Sequence, residues 1–179
     1  HDGIAQGECM TYSVGFRVPE RKELARELLA RLADEDDIDD HRRVLYRDAQ
    51  QPAAQAPAEM PATLTAFARD ALERALAEPF ALERAFGEVL TEPKPNVWFD
   101  AGQCAGLEQG VTLDRRTRML FDSQHVFING ESYRASGKDA ALMRTLANDR
   151  VLDESALRKA SAHALALLEA WGDAGCLPV

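Results

Sequence analysis

The stretch VTLDRRTRMLFDSQHVFINGESYR, Val111 to Arg134, decides how this chain is read. It divides into four short β-prone runs, VTLD, RMLF, HVFI and ESYR, and the last two flank the dipeptide Asn129-Gly130. Asn-Gly is a strong two-residue hairpin signal because both positions tolerate positive φ, so a small antiparallel sheet is expected here. Downstream the period lengthens. Leu142, Met143 and Leu146 mark a helix over Lys138 to Ala147, and Leu157, Ala160, Ala164, Leu168 and Trp171 mark another over about Glu154 to Trp171. The ending GCLPV is expected to add an edge strand. Together these elements form an α+β unit.

Upstream of the sheet, EPKPN (Glu92 to Asn96) holds two prolines and breaks a helical pattern, which reads as a domain boundary. Before it, Leu64, Phe67, Ala68, Ala71, Leu72, Ala75 and Leu76 share one stripe of a helix starting at Ala62. A second helix starting at Pro79 carries Leu82, Phe86 and Val89. Joined tightly at Glu78-Pro79, the two form a helical hairpin whose apolar faces need a further cover, and a partner subunit is one candidate. QQPAAQAPAEMP, Gln50 to Pro61, is an extended connector. DEDDIDD, Asp34 to Asp40, puts six carboxylates in seven positions and reads as a solvated loop, because no spaced DxDxDG pattern organises their oxygens around a cation. Leu24, Leu28 and Leu32 place a helix over about Glu20 to Ala33, with Pro19 suited to its first turn. In Met10 to Val18, Met10, Tyr12, Val14 and Phe16 alternate with Thr11, Ser13 and Gly15, the period of a half-buried strand.

A chain of 179 residues with 46% hydrophobic residues is large enough to bury a core. No run approaches the roughly 20 apolar residues of a membrane-spanning helix. The formal charge of −9, from 21 basic against 30 acidic side chains, opposes broad nucleic-acid affinity. That charge is uneven: residues 1–95 hold twelve Lys/Arg against nineteen Asp/Glu, and residues 96–179 hold nine against eleven. Duplex binding by the C-terminal unit is therefore not expected, since among its helical residues only Arg158 and Lys159 stand together; Arg115, Arg116 and Arg118 are better placed to meet an acidic surface. Three separated cysteines, Cys9, Cys104 and Cys176, suggest neither a disulfide framework nor a metal knuckle, and point to a reducing cytoplasm. The chain begins at His1 rather than Met, and no basic stretch followed by an apolar run indicates a targeting peptide.

No GxSxG, Gly-rich phosphate loop or HExxH motif is present. Of the four histidines, His41, His125 and His163 read as surface or packing residues. His1 is set apart by the segment it opens. The stretch HDGIAQGECMTYSVGFR, His1 to Arg17, resembles the last metal-ligand segment of the bacterial JmjC/cupin ribosomal oxygenases, where a His-acid-Gly turn leads into a strand of the form Tyr12-Ser13-Val14-Gly15-Phe16-Arg17. The Ala/Pro-rich loop, the linker Glu92-Pro93-Lys94-Pro95 and the hairpin Asn129-Gly130-Glu131 match the family's order of elements.

The resemblance implies an α+β chain in three parts. Residues 1–18 would be the last strand segment of a cupin (double-stranded β-helix) barrel, 19–95 a helical dimerisation region, and 96–179 a winged-helix-like domain. It further implies an Fe(II)- and 2-oxoglutarate-dependent hydroxylase, acting on an arginine of a large-subunit ribosomal protein as a homodimer. Such oxygenases hold iron with two His and one carboxylate, leaving open positions for the cosubstrate and dioxygen. The first two ligands usually come as His-x-Asp or His-x-Glu. Here the residues two after His1, His41, His125 and His163 are Gly3, Arg43, Phe127 and Leu165. By resemblance, His1 is then the third ligand, the other two lie upstream of this sequence, and the chain alone is inactive. Asp2 is not expected to be a second ligand, because adjacent residues on an extended segment point in opposite directions and one metal rarely takes both. Thr11 and Ser13 fall near the 2-oxoglutarate pocket, where the Thr hydroxyl offers less hydrogen bonding than the amide that relatives carry. The competing expectation is a non-enzymatic dimeric interaction module with a winged-helix-like protein-binding domain.

Overall fold

The computed structural model describes residues 7–10, 12, 15, 18–34, 44–52, 56–101 and 106–177. Three helices come first: α1 (Arg21–Asp34), α2 (Ala62–Ala77) and α3 (Ala81–Thr91). After a 3-10 turn at Leu107–Gln109 come β1 (Val111–Thr112), β2 (Met119–Phe121), β3 (His125–Ile128), β4 (Glu131–Arg134), α4 (Gly137–Asp149), β5 (Val151–Leu152), α5 (Glu154–Leu157) and α6 (Ala162–Asp173). The chain is α+β.

The expected hairpin forms where Asn129 and Gly130 adopt φ of 49° and 91°, joining β3 to β4 with Ile128 opposite Glu131. With β2 alongside β3, these make a three-stranded antiparallel sheet in the order β2-β3-β4. The VTLD run does not join it. Val111 and Thr112 pair instead with Leu152 and Val151 of β5, a strand that gave no local signal because two residues carry no period.

Strand β3 is buried at all four positions, because the sheet has helices on both faces. Val126 and Ile128 enter the main core with Met119, Met143, Leu146, Leu157, Leu168 and Trp171. Phe127 points the other way, under Gly87 of α3, and the His125 ring lies 5.6 Å from that of Phe80. Burying side chains such as Leu146, Leu168 and Ile128 contributes about 1.5–3 kcal/mol each. A second, smaller core joins Leu32 of α1 to Ala81 and Ala85 of α3, with Leu28 and Ala75 beside them.

The helix expected over Glu154 to Trp171 is two helices. Asp153 caps α5 by accepting the Ala156 N–H, and Ser161 caps α6 by accepting the Ala164 N–H while its hydroxyl donates to Asp139 at 2.6 Å. The expected edge strand at the C-terminal end is also corrected among the described residues: Gly175 turns at φ 79°, and the Cys176 carbonyl accepts from Asp114 N and Thr117 Oγ1 outside any strand. On α3, the large residues Leu82 and Phe86 do not face inward. The small-residue side, Ala81, Ala85 and Gly87, is buried instead, since close approach to α1 and Phe127 admits nothing larger.

Candidate functional site

The residues singled out for metal and cosubstrate, His1, Thr11 and Ser13, lie outside the described residues, as do His41 and all of the acidic loop beyond Asp34. Their described neighbours Met10, Tyr12 and Val18 are solvent-exposed, and Met10, Tyr12 and Gly15 carry no strand pairing. Among the described residues no group of three or more His, Cys, Asp or Glu is placed to hold a metal ion, so this part of the chain does not by itself fit an iron centre. His125, read as a surface or packing residue, is buried, with its Nδ1 3.4 Å from Asp122 Oδ2. Partial burial pushes the Asp122 carboxyl up, but the backbone N–H groups of Gln124 and His125 outweigh it and hold the group below its usual range. His163 is exposed on α6.

The polar groups that structure does bring together lie at the joint of α1, α3 and the β3-β4 hairpin. Glu88 of α3 accepts a 2.6 Å hydrogen bond from Ser132 Oγ of β4 and faces Arg31 Nε of α1 at 3.8 Å. Arg31 also pairs with Glu92. Thr91 Oγ1 donates to the Gly87 carbonyl at 2.8 Å and accepts from the Gly130 N–H at 3.1 Å. Arg118 Nη1 donates to the Glu92 carbonyl at 2.9 Å. These bonds span the Pro-containing Glu92–Asn96 stretch and dock the hairpin tip on the end of α3. There, a Cβ on Gly130 would approach Glu92 Oε2 to 2.9 Å.

Several cations of the C-terminal region are likewise engaged. Arg116 is held by Asp114 at 2.9 Å and by the Trp98 carbonyl at 2.6 Å. Its hydrogen bond to Asp114, against some opposing burial, draws that carboxyl below the usual range. Arg144 donates to the carbonyls of Asp122 and Ser123, and Arg158 pairs with Glu154. Arg115 is exposed. A free wing and a free cationic helix grip a duplex; here the hairpin tip is docked and Arg116, Arg118, Arg144 and Arg158 have partners within the fold.

Sequence reasoning missed Glu88, Arg31, Thr91 and Gly87. Charged residues on an amphipathic helix read as solvated, and nothing local marks a partner on an element far away in the chain. The one available signal was the spacing of Ala81, Ala85 and Glu88, which puts the carboxylate on the small-residue face of α3.

Among the described residues no helix is long and apolar enough to cross a membrane. The family described as ROXA-like winged helix matches residues 71–177, from within α2 to the end of the main core. No curated protein matches the chain in sequence. The X-ray structure of Escherichia coli ycfD is similar with a TM-score of 0.67 and 18% identity, over 92% of this chain and 46% of that one. A structure of YcfD, a ribosomal oxygenase from Escherichia coli, in complex with cobalt and succinic acid has a TM-score of 0.66 and 18% identity, over 92% and 47%. The same protein with cobalt and 2-oxoglutarate gives 0.61 and 20% over the same shares. At these identities the likeness is one of fold, and the chain spans slightly less than half the length of the structures it matches. The sheet with its docked hairpin and three following helices thus lies within a winged-helix domain, the one expected for the C-terminal portion of a JmjC/cupin ribosomal oxygenase, and the chain belongs to the ROXA-like winged-helix family.

Proposed function

We propose that this chain is the C-terminal portion of a JmjC-type, Fe(II)- and 2-oxoglutarate-dependent protein hydroxylase of the cytoplasm. Its substrate is an arginine side chain of a large-subunit ribosomal protein. The observation that carries this reading is the family match over residues 71–177. It is supported by a fold shared with a ribosomal oxygenase whose solved structures hold cobalt with succinic acid or 2-oxoglutarate. Residues 1–18 end the barrel, His1 is its third iron ligand, and Thr11 and Ser13 lie beside the cosubstrate. With dioxygen as the oxidant, iron and 2-oxoglutarate would supply the oxidising chemistry, and the protein groups hold geometry and exclude water.

The helical region, 19–95, pairs two subunits. Leu82, Phe86 and Leu90 on α3, with Leu64, Leu72 and Leu76 on α2, are each more than a third exposed, an apolar surface of the kind that marks an interface. The winged-helix domain shapes access for the substrate and does not bind duplex. The acidic excess of residues 1–95 suits a basic protein substrate.

The test uses the protein together with its upstream segment. Succinate release from 2-oxoglutarate is expected to require Fe(II) and to vanish in His1→Ala, whereas the 179-residue chain alone turns over none and binds Fe(II) no better than its own His1→Ala variant. An upstream sequence without His-x-Asp or His-x-Glu would overturn the proposal in favour of a non-enzymatic dimeric interaction module. Light scattering that gives a monomer mass at high concentration would count against the helical interface in either case.

A further inference from the structure

Helix α1 meets the rest of the molecule through a smooth contact and a directional one, in which Arg31 faces Glu88 and also pairs with Glu92, both on α3 or at its end. On the smooth side, Leu28 and Leu32 lie against Ala75, Ala81 and Ala85. Small side chains leave shallow grooves, and dispersion contacts of this kind oppose sliding along the helix axis only weakly. On the directional side, the Glu88 carboxylate is 11% exposed and is held between Ser132 Oγ of β4 at 2.6 Å and Arg31 Nε of α1 at 3.8 Å. One side chain thereby ties three elements together.

A buried carboxylate is costly unless paired, and an apolar residue of similar volume often packs as well or better. Such a pair is a poor device for stability and a good one for fixing register. The sequence of α1 strengthens this. The residues a turn to either side of Arg31 on the same face are Glu27 and Asp34. A slip in either direction would therefore set carboxylate against carboxylate at Glu88 and Glu92.

We propose that Glu88 is a positioning residue that sets the axial register of α1 against the winged-helix domain. Residues 1–18 lead directly into α1. If the chain completes a hydroxylase, on which this consequence rests, the register fixes where the domain sits relative to the His1 segment and so how it presents substrate.

The test places spin labels at Lys22→Cys on α1 and Glu169→Cys on α6, both exposed, in a Cys9→Ser, Cys104→Ser background of the full chain. Pulsed EPR is expected to give a single distance in the parent. Glu88→Leu, made together with Glu92→Gln so that Arg31 keeps no second carboxylate, adds a component displaced by about 5 Å, one helical turn, while the urea midpoint holds or rises. Arg31→Glu adds the same component, and Arg31→Lys keeps the single distance. Because Arg31 is partly exposed, Arg31→Glu carries the decision should Glu88→Leu/Glu92→Gln not fold. Single, unshifted distances in both variants, with only the midpoint changed, would overturn the proposal and leave an ordinary ion pair. In the protein with its upstream segment, Glu88→Leu/Glu92→Gln raises KM for the protein substrate and leaves KM for 2-oxoglutarate unchanged. A parent that turns over no 2-oxoglutarate overturns the functional reading, and the distance measurement still decides the register.

Discussion

Replacing Gly87 by Ala should destabilise the protein, although exposed helix positions ordinarily gain from that change. A Cβ built on Gly87 runs into the Cε1, Cδ1 and Cζ atoms of the Phe127 ring, well inside the optimum carbon separation of about 3.5–4.0 Å. Either the ring or α3 must move by more than about 1 Å to restore ordinary contact. Phe127 is 3% exposed and lies under α3, so its ring has no solvent to retreat into. Overpacking of this kind costs about 1–3 kcal/mol, and the displacement required places Gly87→Ala toward the upper end. Exchanging Gly for Ala inside a helix returns about 1 kcal/mol. The net is a loss of about 2 kcal/mol, or a fall of about 4–8 °C in Tm for a chain of this size. Urea unfolding followed by circular dichroism would measure it, and Gly87→Ala/Phe127→Leu should recover most of the loss. A gain of about 1 kcal/mol in Gly87→Ala would mean that helix propensity alone acts at the site, and would refute the close packing of α3 on β3.

Thr91→Val keeps the shape of its side chain but leaves the Gly130 N–H without its acceptor, and should cost about 1–3 kcal/mol in the same assay. The Asp122 carboxyl titrates lower in the folded chain than in the unfolded one, so its contribution is present above the ordinary Asp value of about 3.9 and is lost as pH falls through the lower folded value. Asp122→Asn should flatten that acid limb of a stability profile, and an unchanged limb would contradict the assignment. Burial pushes the Cys176 thiol up, so a thiol reagent should label exposed Cys9 in the native protein and Cys176 only after unfolding, as read by peptide mapping. In sedimentation or light scattering, Phe86→Glu should convert a dimer to monomer without lowering Tm. A dimer that survives Phe86→Glu would move the interface off α3.

The sheet was legible because its signals are local: Asn129-Gly130 alone locates the β3-β4 turn, and Leu24, Leu28 and Leu32 alone place α1. What could not be read was set by distant partners. Val151 and Leu152 become a strand only because Val111 and Thr112 lie beside them. Ser161 could cap a helix or sit within one, and its contact with Asp139 of α4 decides the matter. The large apolar residues of α3 suggested its inner face, yet contact with Phe127 and Leu32 selects the small residues for that side and leaves Leu82, Phe86 and Leu90 outward. The winged-helix family, by contrast, was accessible from the order of elements together with the Tyr12 to Arg17 run. The proposed ligand His1 rests on that run, and the polar joint at Glu88 rests on the fold.

The central claim, that this chain completes a protein hydroxylase, is tested most directly by mass spectrometry of large-subunit ribosomal proteins incubated with the protein and its upstream segment, Fe(II) and 2-oxoglutarate. One arginine in one ribosomal protein should gain the mass of a single oxygen atom with the parent enzyme and not with His1→Ala. Ribosomal proteins left unmodified by a folded, iron-loaded parent, or modified equally by His1→Ala, would contradict it.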